Sequence, residues 1–164
     1  MKRIVIVLAV VAAAVVFLFA ASWPKNEITL SAYAYTAQPD LAAAGRNVYV
    51  CWTQKLAYDS PNTHLYLSRS NDNGRSWLTT PIRIDRRSAT KGVVERPRLA
   101  AYGTYAYAVW RDTRNGKSDI YLNYSSNNGM TWLNKDIRID VGDAPGASHG
   151  YVAEIAVSGP YVYV

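Results

Sequence analysis

The feature that most constrains this 164-residue chain is that it repeats itself. Trp77 and Trp132 lie 55 residues apart, and Ile-Arg-Ile-Asp at 82–85 returns at 137–140 with the same offset. Upstream, PDLAAAGRNVYVCW (39–52) aligns with PRLAAYGTYAYAVW (97–110). Pro39 and Pro97, Gly45 and Gly103, and Trp52 and Trp110 are each 58 apart. A third copy opens at AEIAVSGPYVYV (153–164), where Ile155 and Gly159 stand 56 beyond Leu99 and Gly103. A repeat of this size is one supersecondary unit that buries its apolar face only against its neighbours.

Within each copy the apolar runs are short, rich in Val, Ile, Tyr and Trp, and split by turn residues, which is the pattern of strands. The first copy reads as strand A (40–44), a turn at 45–47, strand B (48–53), strand C (64–69) and strand D (76–84). The second has A at 98–102, B at 105–110, C at 119–125 and D at 131–139. Strand A is small-residued (Ala42, Ala43, Ala100, Ala101), as a crowded inner strand requires. Strand B is apolar almost throughout, as for a strand covered on both faces. Four antiparallel strands per repeat is the format of a propeller blade. The expected fold is all-β: an incomplete β-propeller with two four-stranded antiparallel blades (39–85 and 97–140) and the start of a third (153–164). A six-bladed ring of such repeats needs roughly 330 residues, so the sequence reads as the front of a longer protein.

An N-terminal hydrophobic helix is expected ahead of the repeats. Lys2 and Arg3 precede an unbroken apolar run from Ile4 to Phe19. Residues 1–24 fit a signal peptide cut after Ser22 or an uncleaved membrane anchor, and both send the rest of the chain out of the cytoplasm. A secreted, periplasmic or surface-anchored location follows, with membrane contact only through this segment if it is uncleaved. Residues 25–38 read as a linker or an extra strand at 27–36. Without Lys2 and Arg3 the formal charge falls from +6 to +4, and no basic run accompanies it, which argues against nucleic acid. Cys51 is the sole cysteine, so no internal disulfide forms, and in VYVCW it reads as a small buried hydrophobe.

Between strands C and D both copies carry one phrase: SNDNGRSW at 70–77 and SSNNGMTW at 125–132. Gly74 and Gly129 allow the positive φ of a tight turn. Asp72 accepts hydrogen bonds from its own turn, with the hydroxyls of Ser70 and Ser76 locking the loop. Asn127 keeps an acceptor oxygen in the second copy. A calcium loop of similar composition would put its first ligand at Arg69 or Tyr124, so the phrase is scaffold and no metal or cofactor is expected.

The phrase resembles the Asp-box, or BNR repeat, of sialidase-like β-propellers. The resemblance covers roughly residues 39–164 and is carried by Ser70, Asp72, Gly74, Ser76 and Trp77, and by Ser125, Asn127, Gly129, Thr131 and Trp132. It implies a propeller more firmly than an activity, since Asp-boxes also occur in propellers that are not sialidases. For a sialidase it would imply three arginines on the substrate carboxylate, a Tyr nucleophile paired with Glu, and an Asp acid/base. The family's Arg-Ile-Pro signature is absent: Arg96 is followed directly by Pro97, and Arg83-Ile84 by Asp85. No catalytic residue therefore carries over.

Hairpin connections alternate between the two faces of a propeller. Short A–B turns and the C–D phrases share one face; the longer polar B–C and D–A connections (53–63, 111–117, 86–96 and 140–150) share the other. The copies differ most on that second face. Glu95, Arg96, Arg111, Asp112, Arg114 and Tyr151 are the candidate ligand-facing residues. The bland alternative for each charge is a solvated loop position with a local ion pair. Arg83 and Arg138, repeated on outer strand D, read as surface charges, and His64 and His149 as loop residues. The expected function is binding of a carbohydrate or protein ligand through this face. The alternative is an exo-α-sialidase-type glycosidase whose catalytic set lies largely on further blades.

Overall fold

The computed structural model describes residues 5–10, 13–18, 28–31, 35–87, 92–151 and 153–164. Where the sequence led us to expect a hydrophobic helix, β1 (Val5–Val10) and β2 (Ala13–Leu18) pair antiparallel, and β3 (Ile28–Thr29) adds to β2. The run is rich in Val and Ile, whose branched side chains suit a strand at least as well as a helix, and its apolar character alone does not separate the two. Among the described residues no helix is long and apolar enough to cross a membrane. The expected cut after Ser22 lies outside the described residues.

Two four-stranded antiparallel sheets follow. The first comprises β4 (Thr36–Ala44), β5 (Asn47–Gln54), β6 (His64–Ser70) and β7 (Ile82–Arg83) in that order. The second comprises β8 (Val94–Tyr102), β9 (Tyr105–Asn115), β10 (Lys117–Ser125) and β11 (Ile137–Arg138), also in chain order. A hairpin of β12 (Ala156–Ser158) and β13 (Tyr161–Tyr163) starts the third copy. The A-B-C-D order read from the repeat is thus the observed one in both complete copies.

Two elements differ from expectation. Strand D shrinks to a pair of residues because Pro81 cannot donate to the ladder in the first copy, and in the second Asp136 turns inward to Asn123. The aspartate closing each Ile-Arg-Ile-Asp then accepts a backbone N–H from the early part of the neighbouring strand: Leu65 to Asp85 and Ile120 to Asp140, both at 2.9 Å. The connection expected at 111–117 is mostly strand, since β9 runs on to Asn115 and reverses through Gly116 at φ +113°.

The core lies between the sheets. Tyr49, Cys51, Leu65 and Leu67 from the first meet Val94, Leu99, Ala108 and Trp110 from the second, closed by Ile84 and Trp132. A smaller cluster of Leu30, Val50 and Trp52 covers the other side of β5, which is therefore buried on both faces. Cys51 sits inside the larger cluster, where burial pushes its thiol far above the usual range, so the small-hydrophobe reading fits its surroundings.

The repeated phrases fold as hydrogen-bonded turns. The Ser70 hydroxyl accepts the Gly74 N–H at 2.8 Å and donates to Asp72 Oδ1 at 2.7 Å, which also accepts the N–H groups of Arg75 and Ser76 at 2.9 Å. Ser125, Asn127, Gly129 and Thr131 reproduce this in the second copy. Each turn also donates from its backbone to the A–B turn of its own sheet, Asn73 to Arg46 at 2.9 Å and Asn128 to Thr104 at 2.7 Å. The short connections therefore lie on one face, which leaves the B–C and D–A connections on the other.

Candidate functional site

On the long-connection face the inner strand of each sheet carries the same irregularity. The register of β4 against β5 shifts between Ala37 and Asp40, and that of β8 against β9 between Glu95 and Arg98. At the bulge Gln38 and Arg96 take positive φ, +53° and +51°. Each directly precedes a proline, a position that normally holds an extended backbone. Bulges re-aim side chains next to binding sites. Here they set the two cross-strand pairs Ala37–Thr53 and Glu95–Arg111 at equivalent points of the two copies.

In the second copy that point is filled by charge. Arg111 Nη1 lies 3.3 Å from Glu95 Oε2, and both side chains are partly exposed. Arg96 projects into solvent while its backbone N–H donates to Gln38 Oε1 at 2.6 Å, tying the two bulges together. One step along the inner strands, the Leu99 N–H donates to Asp40 at 2.6 Å, and Arg98 pairs with Glu154 at 3.0 Å. Asp40, Arg98 and Glu154 occupy equivalent positions, so charge alternates along the inner edge. Burial raises the Asp40 carboxyl above its usual range, against the opposing pull of the Leu99 and Leu41 backbone groups and of Arg98.

Asp112 and Arg114 have a different setting. Trp110, Asp112 and Arg114 alternate with Arg111 along β9, so they point inward while Arg111 points out. Asp112 is fully buried, accepting from Trp110 Nε1 at 3.3 Å and Arg114 Nη2 at 2.7 Å. Arg114 continues to Asp136 at 2.9 Å and lies over the Tyr121 ring, 3.9 Å from its centroid. Burial would lower the Arg114 pKa, yet hydrogen bonding to Asp112 and the charges of both aspartates outweigh it and the net shift is upward. Arg87, buried, sits between the sheets, 3.2 Å from Asp85 and 3.8 Å from Asp112. Asp85 also holds His64 at 3.1 Å and Arg83 at 3.0 Å. Burial pulls the Asp85 carboxyl up, but the His64 and Arg83 contacts and the Leu65 N–H win, and it lies below its ordinary value. Unlike the Glu95–Arg111 pair, this network joins the two sheets from inside.

The sequence-selected residues thus divide. Glu95 and Arg111 come together, Arg96 is exposed beside them, and Asp112 with Arg114 belong to the interior network. Tyr151 is 80% exposed ahead of β12. Arg83 and Arg138 are not free surface charges: Arg83 binds Asp85, and Arg138 gathers Asp119, Asp140 and Asp143. His64 opens β6 with its ring packed on Asp85, whereas His149 is an exposed loop residue 3.3 Å from Ser118 Oγ. Sequence reasoning passed over Arg87 and Asp136, which sit in connections and meet partners across the sheets. Among the described residues no set of three or more His, Cys, Asp and Glu side chains could hold a metal ion.

The first copy has small residues, Ala37 and Thr53, where the second has Glu95 and Arg111. A cleft of about 240 Å³ opens there, walled by Tyr35, Thr36, Gln54, Lys55, Tyr58 and Thr63. The rings of Tyr35 and Tyr58 stand 5.5 Å apart at 50°.

No protein-family model matches this sequence, and no curated protein matches it. Solved structures do. The Hadza microbial sialidase Hz136 superposes with a TM-score of 0.52 at 16% identity, over 73% of this chain and 30% of that one. Trypanosoma rangeli sialidase in complex with sialic acid superposes with a TM-score of 0.53 at 14% identity, over 81% of this chain and 25% of that one. At such identities the shared property is the fold, that of the sialidase-type β-propeller. The chain spans about a quarter to a third of the length of these sialidases.

Proposed function

We propose that this chain is part of an exported or membrane-anchored sialidase-like β-propeller that binds a glycan or protein ligand through the face of its long B–C and D–A connections. The observation that carries this reading is the contrast at the bulges. Residues that agree between copies are accounted for by turns, core and strand caps. At the equivalent cross-strand point one copy places the partly exposed pair Glu95–Arg111, and the other Ala37–Thr53, whose threonine is buried and donates to the Ala37 carbonyl at 3.0 Å. A fold that needs neither pair in particular leaves the partly exposed Glu95–Arg111 pair available for recognition, and Arg is well suited to oxygen-rich ligands. The short overlap with the sialidases supports the further proposal that additional blades complete the ring.

The test is binding of the full chain to a glycan and peptide array. Arg111→Ala and Glu95→Ala should weaken the captured ligand at least about tenfold, as expected for an interface anchor, with melting temperatures near wild type. Retained binding in both variants refutes the recognition role of the Glu95–Arg111 pair. A second reading, favoured by the likeness to two sialidases, is an exo-α-sialidase-type hydrolase whose catalytic set lies largely on those additional blades.

A further inference from the structure

We propose that the cleft of the first sheet is a binding site for a single neutral sugar ring; this rests on the reading above only in taking the long-connection face as the ligand-facing one. Two of its walls are polar groups that the fold leaves without partners. Thr36 is 7% exposed and Gln54 is 1% exposed, and neither Thr36 Oγ1 nor Gln54 Nε2 has a hydrogen-bond partner. The orientation of the Gln54 amide is fixed, because its Oε1 accepts from Trp52 Nε1 at 3.0 Å and from Ser31 Oγ at 3.3 Å. That leaves Nε2 with two N–H donors and no acceptor. An unpaired buried polar group is costly, and its presence in a cleft marks a place where a ligand atom completes the bonding.

The repeat shows that the fold does not require these groups. Thr36 stands where the second copy has Val94, a core residue only 1% exposed. Gln54 stands where it has Asp112, whose oxygens are all taken by Trp110 and Arg114. In the first copy the single amide oxygen is also taken, but the amide nitrogen is left over.

The rest of the cleft selects the ligand class. Tyr58 is 77% exposed and Tyr35 42% exposed, and their tilted rings at the mouth offer apolar faces with hydroxyl edges. A pyranose has matching faces: C–H groups for the tyrosines, hydroxyls for Thr36 and Gln54. No carboxylate lines the cleft, so a cationic ligand has no counter-charge there. Both unpaired groups are neutral, which suits hydroxyls better than a carboxylate, while Lys55 is only a half-exposed residue of the lining. The volume of about 240 Å³ accommodates one ring, not a chain of them.

The experiment is ligand-observed saturation-transfer NMR, with titration, on the full chain. The probes are the methyl glycosides of glucose, galactose and mannose, with methyl glucuronide as the anionic arm. Thr36→Val installs the residue of the second copy and removes the unpaired hydroxyl, so the protein should fold at least as well as wild type. Tyr58→Ala removes an exposed ring. We expect at least one neutral glycoside to bind at millimolar level, and each variant to weaken it about fivefold to tenfold, the size of one lost hydrogen bond or ring contact. Unchanged affinity in both variants, or no binding by any neutral glycoside, overturns the proposal. So does methyl glucuronide binding more than tenfold tighter with loss in high salt, which would make the site anionic. If array binding survives Thr36→Val and Tyr58→Ala but is lost in Arg111→Ala, the cleft assignment fails while the assignment of the face stands.

Discussion

Asp72 and Asn127 perform the same task with and without a charge. Each Oδ1 receives turn hydrogen bonds, and each side chain reaches a hydroxyl four residues on: Ser76 Oγ donates to Asp72 at 2.6 Å, and Asn127 Nδ2 donates to Thr131 Oγ1 at 2.8 Å. Hydrogen bonds from Ser76 and Ser70 hold the Asp72 carboxyl well below the usual range. The folded form thus favours the ionised carboxylate, and its contribution to stability is full above the unfolded pKa of about 4. It is lost as pH falls from there toward the folded value. Asp72→Asn should therefore lower the melting temperature at pH 7, with a gap to wild type that begins to narrow below pH 4 and is smaller at pH 3. Asp72→Ala, which removes the acceptor too, should stay less stable at both. Thermal melts at the two pH values decide it; a constant gap for Asp72→Asn would contradict the carboxylate's role. This turn was legible in the sequence because its partners lie within four residues of one another. The pairing of Asp112 with Arg87 was not, since those two meet only when the sheets pack.

At the scale of elements, the informative departure is the connection at 111–117. Its charged residues suggested a solvated loop, but a strand that continues past the core turns every second residue inward regardless of polarity. Asp112 and Arg114 were carried in this way, and each is compensated by a partner from another element: Arg87 from the D–A connection, Asp136 from the segment before β11. The N-terminal run is ambiguous for a related reason, because continuous apolar character specifies burial without specifying period. Breaking a buried pair leaves an uncompensated charge, whereas an exposed pair contributes little. Asp112→Asn should destabilise the chain by about 3–5 kcal/mol, while Glu95→Gln should cost no more than about 1 kcal/mol. Urea unfolding of the two variants checks both numbers. Comparable losses would mean that the Glu95–Arg111 pair is structural, and would remove the reason for giving it a recognition role.

At the scale of the molecule, the repeat announced both sheets and their order, since each strand pairs with its sequence neighbour and the core recurs with the same period. It could not announce a catalytic set, because the residues that agree between copies are those the fold itself needs. What differs, the bulge pairs and the cleft, rests on geometry that becomes visible only once β4 and β8 lie side by side. The second functional reading then has a definite consequence. If further blades supply the nucleophile and acid/base, a longer protein containing this region should hydrolyse a fluorogenic sialoside. The 164-residue chain should show no turnover above buffer. Turnover by this chain alone would place the catalytic groups among the residues described above and defeat the binding-only account of Glu95 and Arg111. Absence of turnover in the longer, folded protein, with array binding retained, would eliminate the hydrolase and leave a propeller that recognises its ligand without cleaving it.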